Sequence, residues 1–142
     1  MPDFGECEER LSFRKIVRKE KSRRFVILNP KCVPVRVVHI DGCVIRDPAK
    51  LRCDYLFIPT RSPAEIYVEF KGDDVGHAIK QIEATIPEVS EDIHRLGKHC
   101  FIVCGRVAPY LGTQIQKARS RFQRRFNARL KLKKDVIEHT LS

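Results

Sequence analysis

The segment Ile66-Tyr67-Val68-Glu69-Phe70-Lys71-Gly72-Asp73-Asp74-Val75-Gly76-His77-Ala78-Ile79-Lys80-Gln81-Ile82 changes its hydrophobic period halfway along. Up to Lys71 the alternation has period two, as in a strand: Ile66, Val68 and Phe70 take one face, and Glu69 and Lys71 the other. After Gly72 the apolar residues Val75, Ala78, Ile79, Ile82 and Ile86 return at helical spacing, and Asp73-Asp74 suits a helix start. Pro87 is expected to end that helix. Upstream, Cys53 to Ile58 reads as a short apolar strand that a tight connection around Pro59 to Pro63 turns back beside Ala64 to Lys71.

Further out, Phe25 to Leu28 and Val33 to Ile40 read as strands. Asp41-Gly42 reads as a turn into a strand over Cys43 to Arg46, the whole forming a meander. Leu11, Phe13, Ile16 and Val17 have a loosely helical spacing. Downstream, His99 to Cys104 is a strand, Ile115, Ala118, Phe122 and Phe126 mark an amphipathic helix, and Leu130 and Leu132 alternate with basic residues as in an edge strand. No repeat or linker divides the 142 residues, which are read as a single domain.

Charge points to a polyanionic partner. The chain carries 28 Lys and Arg against 18 Asp and Glu, a formal net charge of +10. Residues 10–36 hold ten of the bases and one acid, Glu20, and residues 113–134 hold nine bases and no acid. A near-neutral centre thus lies between two basic flanks, and Arg23, Arg24, Arg121, Arg124 and Arg125 are candidate contacts to a nucleic-acid backbone.

Several other classes are disfavoured. No apolar run approaches the ~20 residues of a membrane span, and Met1 to Glu6 lacks a secretory pattern, so a cytoplasmic location without membrane contact is expected. There is no Gly-x-Ser-x-Gly and no Gly-x-x-x-x-Gly-Lys loop. The six cysteines match no zinc-ribbon spacing. Cys100 and Cys104, four strand steps or ~13 Å apart, cannot share a metal or a disulfide. Cys43 and Cys53 can face each other across strands, but in a reducing compartment all six are expected as free thiols.

The charged residues inside otherwise apolar strands carry the chemistry. Asp54 opens one strand, and Glu69 and Lys71 share a face of the next, so two carboxylates and an ammonium meet. Mg2+ is usually held by one or two carboxylates together with waters and substrate phosphate. Asp54 and Glu69 satisfy that requirement, with the backbone carbonyl of Phe70 as a further ligand and Mn2+ as a substitute ion. Lys71 is placed to orient a water or to offset charge on a phosphorane-like transition state.

This order, an acid, then Glu-x-Lys closing the next strand, then an amphipathic helix and a further strand, resembles the PD-(D/E)xK nuclease superfamily over residues 35–104. That superfamily includes restriction endonucleases and archaeal-type Holliday-junction resolvases. The resemblance implies an α/β, restriction-endonuclease-like αβββαβ core with a central mixed sheet flanked by helices. It also implies an Mg2+-dependent endonuclease that hydrolyses DNA, with RNA less favoured, either structure-selective or part of a defence or repair system. Asp54 would be the first acid, Glu69 the second and Lys71 the lysine, with Cys53 where the motif has proline. Members often carry Lys or Gln on the following helix, which assigns Gln81 or Lys80 to phosphate or water positioning and His77 to support. Many also place a Glu on an upstream helix, for which Glu20, Glu9 and Glu8 are candidates. A homodimer or a larger multi-protein complex would bring two sites to two strands. The alternative is an inactive module of the same fold that binds nucleic acid or protein.

Overall fold

The computed structural model describes residues 3–61 and 63–142. In chain order the elements are β1 (Glu8–Leu11), β2 (Lys15–Glu20), β3 (Arg23–Leu28), β4 (Val35–His39), β5 (Tyr55–Pro59), β6 (Glu65–Lys71), α1 (Val75–Val89), β7 (Lys98–Cys104), α2 (Gly112–Phe126), β8 (Ala128–Lys134) and β9 (Val136–Thr140). Six strands form a mixed sheet in the order β1-β4-β5-β6-β7-β8. The β1, β4, β5 and β6 pairs are antiparallel, whereas β6, β7 and β8 run parallel. The protein is a mixed α/β fold with a central mixed sheet and two helices.

Burial on both faces explains why β6 and β7 are so apolar. On one face Leu56, Ile58, Tyr67, Cys100 and Ile102 pack under α1 and α2. On the other, Val35, Phe57, Val68, Phe70 and Phe101 meet a small second sheet of β2, β3 and β9 through Ile16, Phe25, Ile27 and Ile137. Helices therefore cover one side of the sheet and strands the other, a correction to the expectation of helices flanking it.

No α-helix precedes β4, so the expected upstream helix is absent from the described residues. The stretch around Leu11 to Val17 is instead the end of β1 and the start of β2. Ile16 is buried while Phe13 is 65% exposed, so the apolar residues there do not share a helical face. The meander is also corrected: β3 pairs with β2 and β9, not with β4. Asn29 makes the corner between the sheets, its buried side chain bonding the Phe13 carbonyl and both backbone groups of Val33. Cys43 to Arg46 is a turn with an isolated bridge between Asp41 and Ile45, not a strand.

Pro87 lies inside α1 and does not end it. Its missing N–H removes one hydrogen bond, but Ile86 and Val89 are buried against the sheet, and that burial carries the helix to Val89. Asp74 caps the other end, its Oδ1 accepting the His77 N–H at 3.0 Å. Both sides of α2 follow the expected pattern, with Ile115, Ala118, Phe122 and Phe126 buried. β8 is an edge strand with Arg129, Lys131 and Lys133 exposed.

The cysteines differ from expectation. Cys7 and Cys43 form a disulfide, with their Cα atoms 5.7 Å apart. β1 lies beside β4, which brings Cys7, just before β1, next to the turn that follows β4. Cys32, Cys53, Cys100 and Cys104 are free thiols. Among the described residues no helix is long and apolar enough to cross a membrane.

Candidate active site

Asp54 is positioned by its backbone on both sides. Its N–H donates to the Val68 carbonyl at 3.2 Å, and its carbonyl accepts the Ile40 N–H at 2.9 Å. Its carboxylate then turns to β6, where Oδ2 accepts the Phe70 N–H at 2.8 Å. The two residues ahead of it are gripped by α1: Gln81 Nε2 donates to the Arg52 carbonyl at 3.0 Å, and the Cys53 N–H donates to Thr85 Oγ1 at 2.8 Å. A helix and a strand together thus fix Asp54.

The pairing of Tyr55 with Val68 places Asp54 opposite Glu69, and opposite residues of an antiparallel pair share a face. Glu69 is 2% exposed, and Lys71 Nζ lies 3.4 Å from its Oε2. Its other oxygen, Oε1, is buried with no hydrogen-bond partner among the described residues. Burial, followed by the neighbouring Asp54 charge, pushes the Glu69 carboxyl up to about 9, against the pull of Lys71. Asp54 is raised too, chiefly by burial; the Phe70 N–H opposes this, and the charges of Glu20 and Asp41 add to it. At neutral pH this pair holds a proton that a bound cation would displace.

A comparison on the same strand gives this state its meaning. Glu65 lies four residues before Glu69 on the same face and is 1% exposed. It accepts the Tyr67 hydroxyl at 2.9 Å, the Ser90 hydroxyl at 2.6 Å and the Glu91 N–H at 2.9 Å. Glu65 has its donors, whereas Glu69 has an empty oxygen beside a second carboxylate. Burying polar groups in such a state is unfavourable unless something further binds.

The donor set fits a hard divalent cation: oxygen ligands from Asp54 and Glu69, with the Phe70 carbonyl on the same lateral side of β6 as the Phe70 N–H that meets Asp54. Among the described residues no group of three or more His, Cys, Asp or Glu forms a ready cage. An ion here would keep several waters, as Mg2+ does.

The β2–β3 hairpin overhangs this end of the sheet, with Glu20 and Arg23 as its last pair and Lys21 at φ 55° in the turn. Glu20 acts on Asp54 through its charge. Arg23 has a buried Nε with no partner among the described residues, its Nη2 lies 4.0 Å from Glu20 Oε1, and its guanidinium is 3.5 Å from where a Cβ on Gly105 would sit. Of the upstream acids, Glu9 is instead paired with Arg18 at 2.6 Å and Glu8 with Arg36 at 2.7 Å. The signal for this hairpin was the two-residue gap Lys21-Ser22 between alternating stretches, which the helical reading of the segment masked.

The remaining sequence candidates separate. His77 and Lys80 are exposed and line a cleft of about 530 Å³ with Asp73, Asp74, Tyr110 and Gln114, next along the chain from Lys71. Gln81 turns its amide nitrogen to Arg52, and its Oε1 is buried with no partner among the described residues. Arg121 and Arg125 both grip Glu83, at 2.6 and 2.8 Å, and tie α2 to α1. The Phe126 carbonyl ending α2 accepts Lys98 Nζ at 3.0 Å, at the start of β7. Arg124 and Arg125 therefore sit six strand steps, about 20 Å, from the Lys71 end of the sheet.

No family model, curated protein or solved structure matches the chain.

Proposed function

We propose that the protein is an Mg2+-dependent endonuclease that hydrolyses DNA phosphodiester bonds, on a restriction-endonuclease-like arrangement of β4, β5, β6, α1 and β7. The observation that carries this reading is the buried Glu69 carboxyl beside Asp54, with Lys71 on one oxygen and no partner among the described residues on the other, on a strand whose other buried glutamate has donors on both oxygens. The strand order, with three antiparallel strands followed by a helix and a parallel strand, supports the same reading.

Asp54 and Glu69 would hold the ion, with the Phe70 carbonyl as a backbone ligand. Bound there, Mg2+ supplies Lewis acidity toward a phosphate oxygen. The protein's own contributions are positional and electrostatic. The Phe70 N–H fixes the Asp54 carboxylate and favours its charged form, and the Lys71 ammonium orients a water or offsets charge gathering on phosphorus. Arg23, largely buried and with its Nη2 4.0 Å from Glu20 Oε1, adds a cation at the same end of the sheet. In the reaction the water oxygen bonds to phosphorus and gives up one proton, the bond to the leaving sugar oxygen breaks, and that oxygen takes up one proton, so the exchange balances.

The test is incubation of supercoiled and branched DNA with Mg2+, Mn2+ or EDTA, comparing wild type with Asp54→Ala and Lys71→Ala. Metal-dependent nicking lost in both variants is the expected result. Nicking that survives EDTA or both substitutions overturns the proposal, and tight salt-sensitive binding without nicking assigns the protein to the binding modules.

A further inference from the structure

Two basic flanks far apart in sequence meet at one end of the central sheet. Lys71 pairs with Cys104, and Cys104 with Lys134, so Lys71 and Lys134 lie two strand spacings, about 10 Å, apart. The Asp135 N–H donates to the Cys104 carbonyl at 3.0 Å, and the Arg24 N–H donates to the Asp135 carbonyl at 2.8 Å. This joins the β8–β9 turn to the β2–β3 hairpin. On the other side the Arg106 N–H donates to the Gly72 carbonyl at 3.1 Å, holding the loop after β7 against the end of β6. The backbone network thus runs continuously from the hairpin tip to the residue after Lys71.

Along that network Lys19, Lys21, Arg24, Arg106, Lys133 and Lys134 are all exposed. Lys19 pairs with Arg24, so both project from the outer face of the small sheet, away from Ile16 and Phe25. Asp135 is an exposed acid within the ridge, and Asp73 and Asp74 line the cleft beyond Gly72. Those two acids disfavour phosphate in the cleft and leave the ridge as the attractive surface. The basic face of α2 is a poorer candidate: besides the two arginines on Glu83, Arg119 Nε donates to the Leu130 carbonyl at 3.1 Å.

We infer that the DNA backbone seats on this ridge of hairpin tip, β8–β9 turn and post-β7 loop, and approaches the carboxylate pair from the end of the sheet instead of along α2. The identification of the polyanion as DNA rests on the proposed nuclease reading; the location of the ridge does not. Contacts of this kind neutralise phosphates and release counterions, so each weakens the salt dependence when removed, whatever the DNA sequence.

The experiment compares two double charge reversals that change net charge equally. Lys21→Glu with Lys134→Glu lies on the ridge, and Arg95→Glu with Arg129→Glu lies at the opposite end of the sheet. Binding of labelled duplex DNA is measured in EDTA over a salt series, with RNA duplex as competitor and circular dichroism to check folding. The ridge variant is expected to bind roughly tenfold or more weakly and to lose about two from the slope of log K against log salt, while the opposite-end variant stays within about twofold of wild type. Equal loss in both variants, no salt-dependent DNA binding by wild type, or loss confined to RNA overturns the inference. Ridge-dependent DNA binding without metal-dependent cleavage refutes the nuclease reading and leaves the ridge standing; cleavage unaffected by the ridge variant does the reverse.

Discussion

The Asp54 carboxylate accepts the Phe70 backbone N–H at 2.8 Å, bridging 16 residues of sequence and joining the opening of β5 to the end of β6. That bond lets the acid do two things at once: it ties the two strands together and keeps the carboxylate beside Glu69. Asparagine keeps an acceptor for the amide but has no charge.

Asp54→Asn is therefore expected to lower Mg2+-dependent cleavage roughly 100-fold or more with little change in denaturant midpoint, because it removes a charge that opposes Glu69. Asp54→Ala also strands the Phe70 N–H and is expected to lose about 1 to 2 kcal/mol relative to Asp54→Asn. If Asp54→Asn cleaves like wild type, the first acid has been misassigned.

Glu69 makes stability depend on pH in a stated direction. Its folded carboxyl titrates at about 9, above the ordinary value of 4.5, so between those limits the folded protein keeps a proton that the unfolded chain has released. Without metal, stability should fall as pH rises through that window. Glu69→Gln should flatten the fall, by on the order of 1 to 3 kcal/mol at the alkaline end. Calorimetric titration with Mg2+ near neutral pH should release about one proton per ion, and that release should vanish in Glu69→Gln. Identical pH–stability curves for the two proteins would refute the raised carboxyl.

A second titrating group acts on the acid side. His139 lies 4.8 Å, ring to ring, from His99 and 5.2 Å from Phe101, where β9 packs against β7. Burial first, then His99 and Lys131, lowers its pKa to about 4 from 6.5. The unfolded chain thus takes up a proton below pH 6.5 that the folded protein refuses until about 4, and stability drops across that interval. His139→Phe should recover roughly 1 kcal/mol of the loss, a figure reduced for the partly exposed ring. Urea melts at pH 7 and pH 5 measure it; an unchanged difference between them would place the acid sensitivity elsewhere.

The Cys7–Cys43 bond closes a loop with a sequence separation of 36. Alkylation of the unfolded, unreduced protein should label four thiols, at Cys32, Cys53, Cys100 and Cys104. Replacing Cys7 and Cys43 by serine should lower stability by about 3 to 4 kcal/mol, the loop-closure entropy of the unfolded chain. Labelling of all six cysteines would show the bond to be absent.

How far the sequence could be read depended on period. Between Tyr55 and Cys104 the alternation of Val68, Glu69, Phe70 and Lys71 and the helical return of Ala78, Ile79 and Ile82 are long and regular, and β5, β6, α1 and β7 were recognisable from them. Around Leu11 to Val17 the apolar residues satisfy neither period well, and a hairpin passed for a helix. Cys43 to Arg46 is β-branched enough to suggest a strand, but a turn bonded to Ile40 occupies it. β9 was not foreseen, because Val136 and Ile137 are followed by the polar Glu138 and His139, and only contact with β3 makes them a strand.

Local pattern by itself determined that Glu69 and Lys71 share one face and that a carboxylate opens the preceding strand, because side-chain direction in a strand depends only on counting by twos. Tertiary structure alone decided that Glu20 and not Glu9 acts on Asp54, that Glu65 has donors on both oxygens while Glu69 Oε1 has none among the described residues, and that the Arg24 backbone is bonded to Asp135, next to Lys134. Those outcomes depend on which strands pair and which donors arrive from distant segments, and no periodicity in one stretch of chain encodes the position of another.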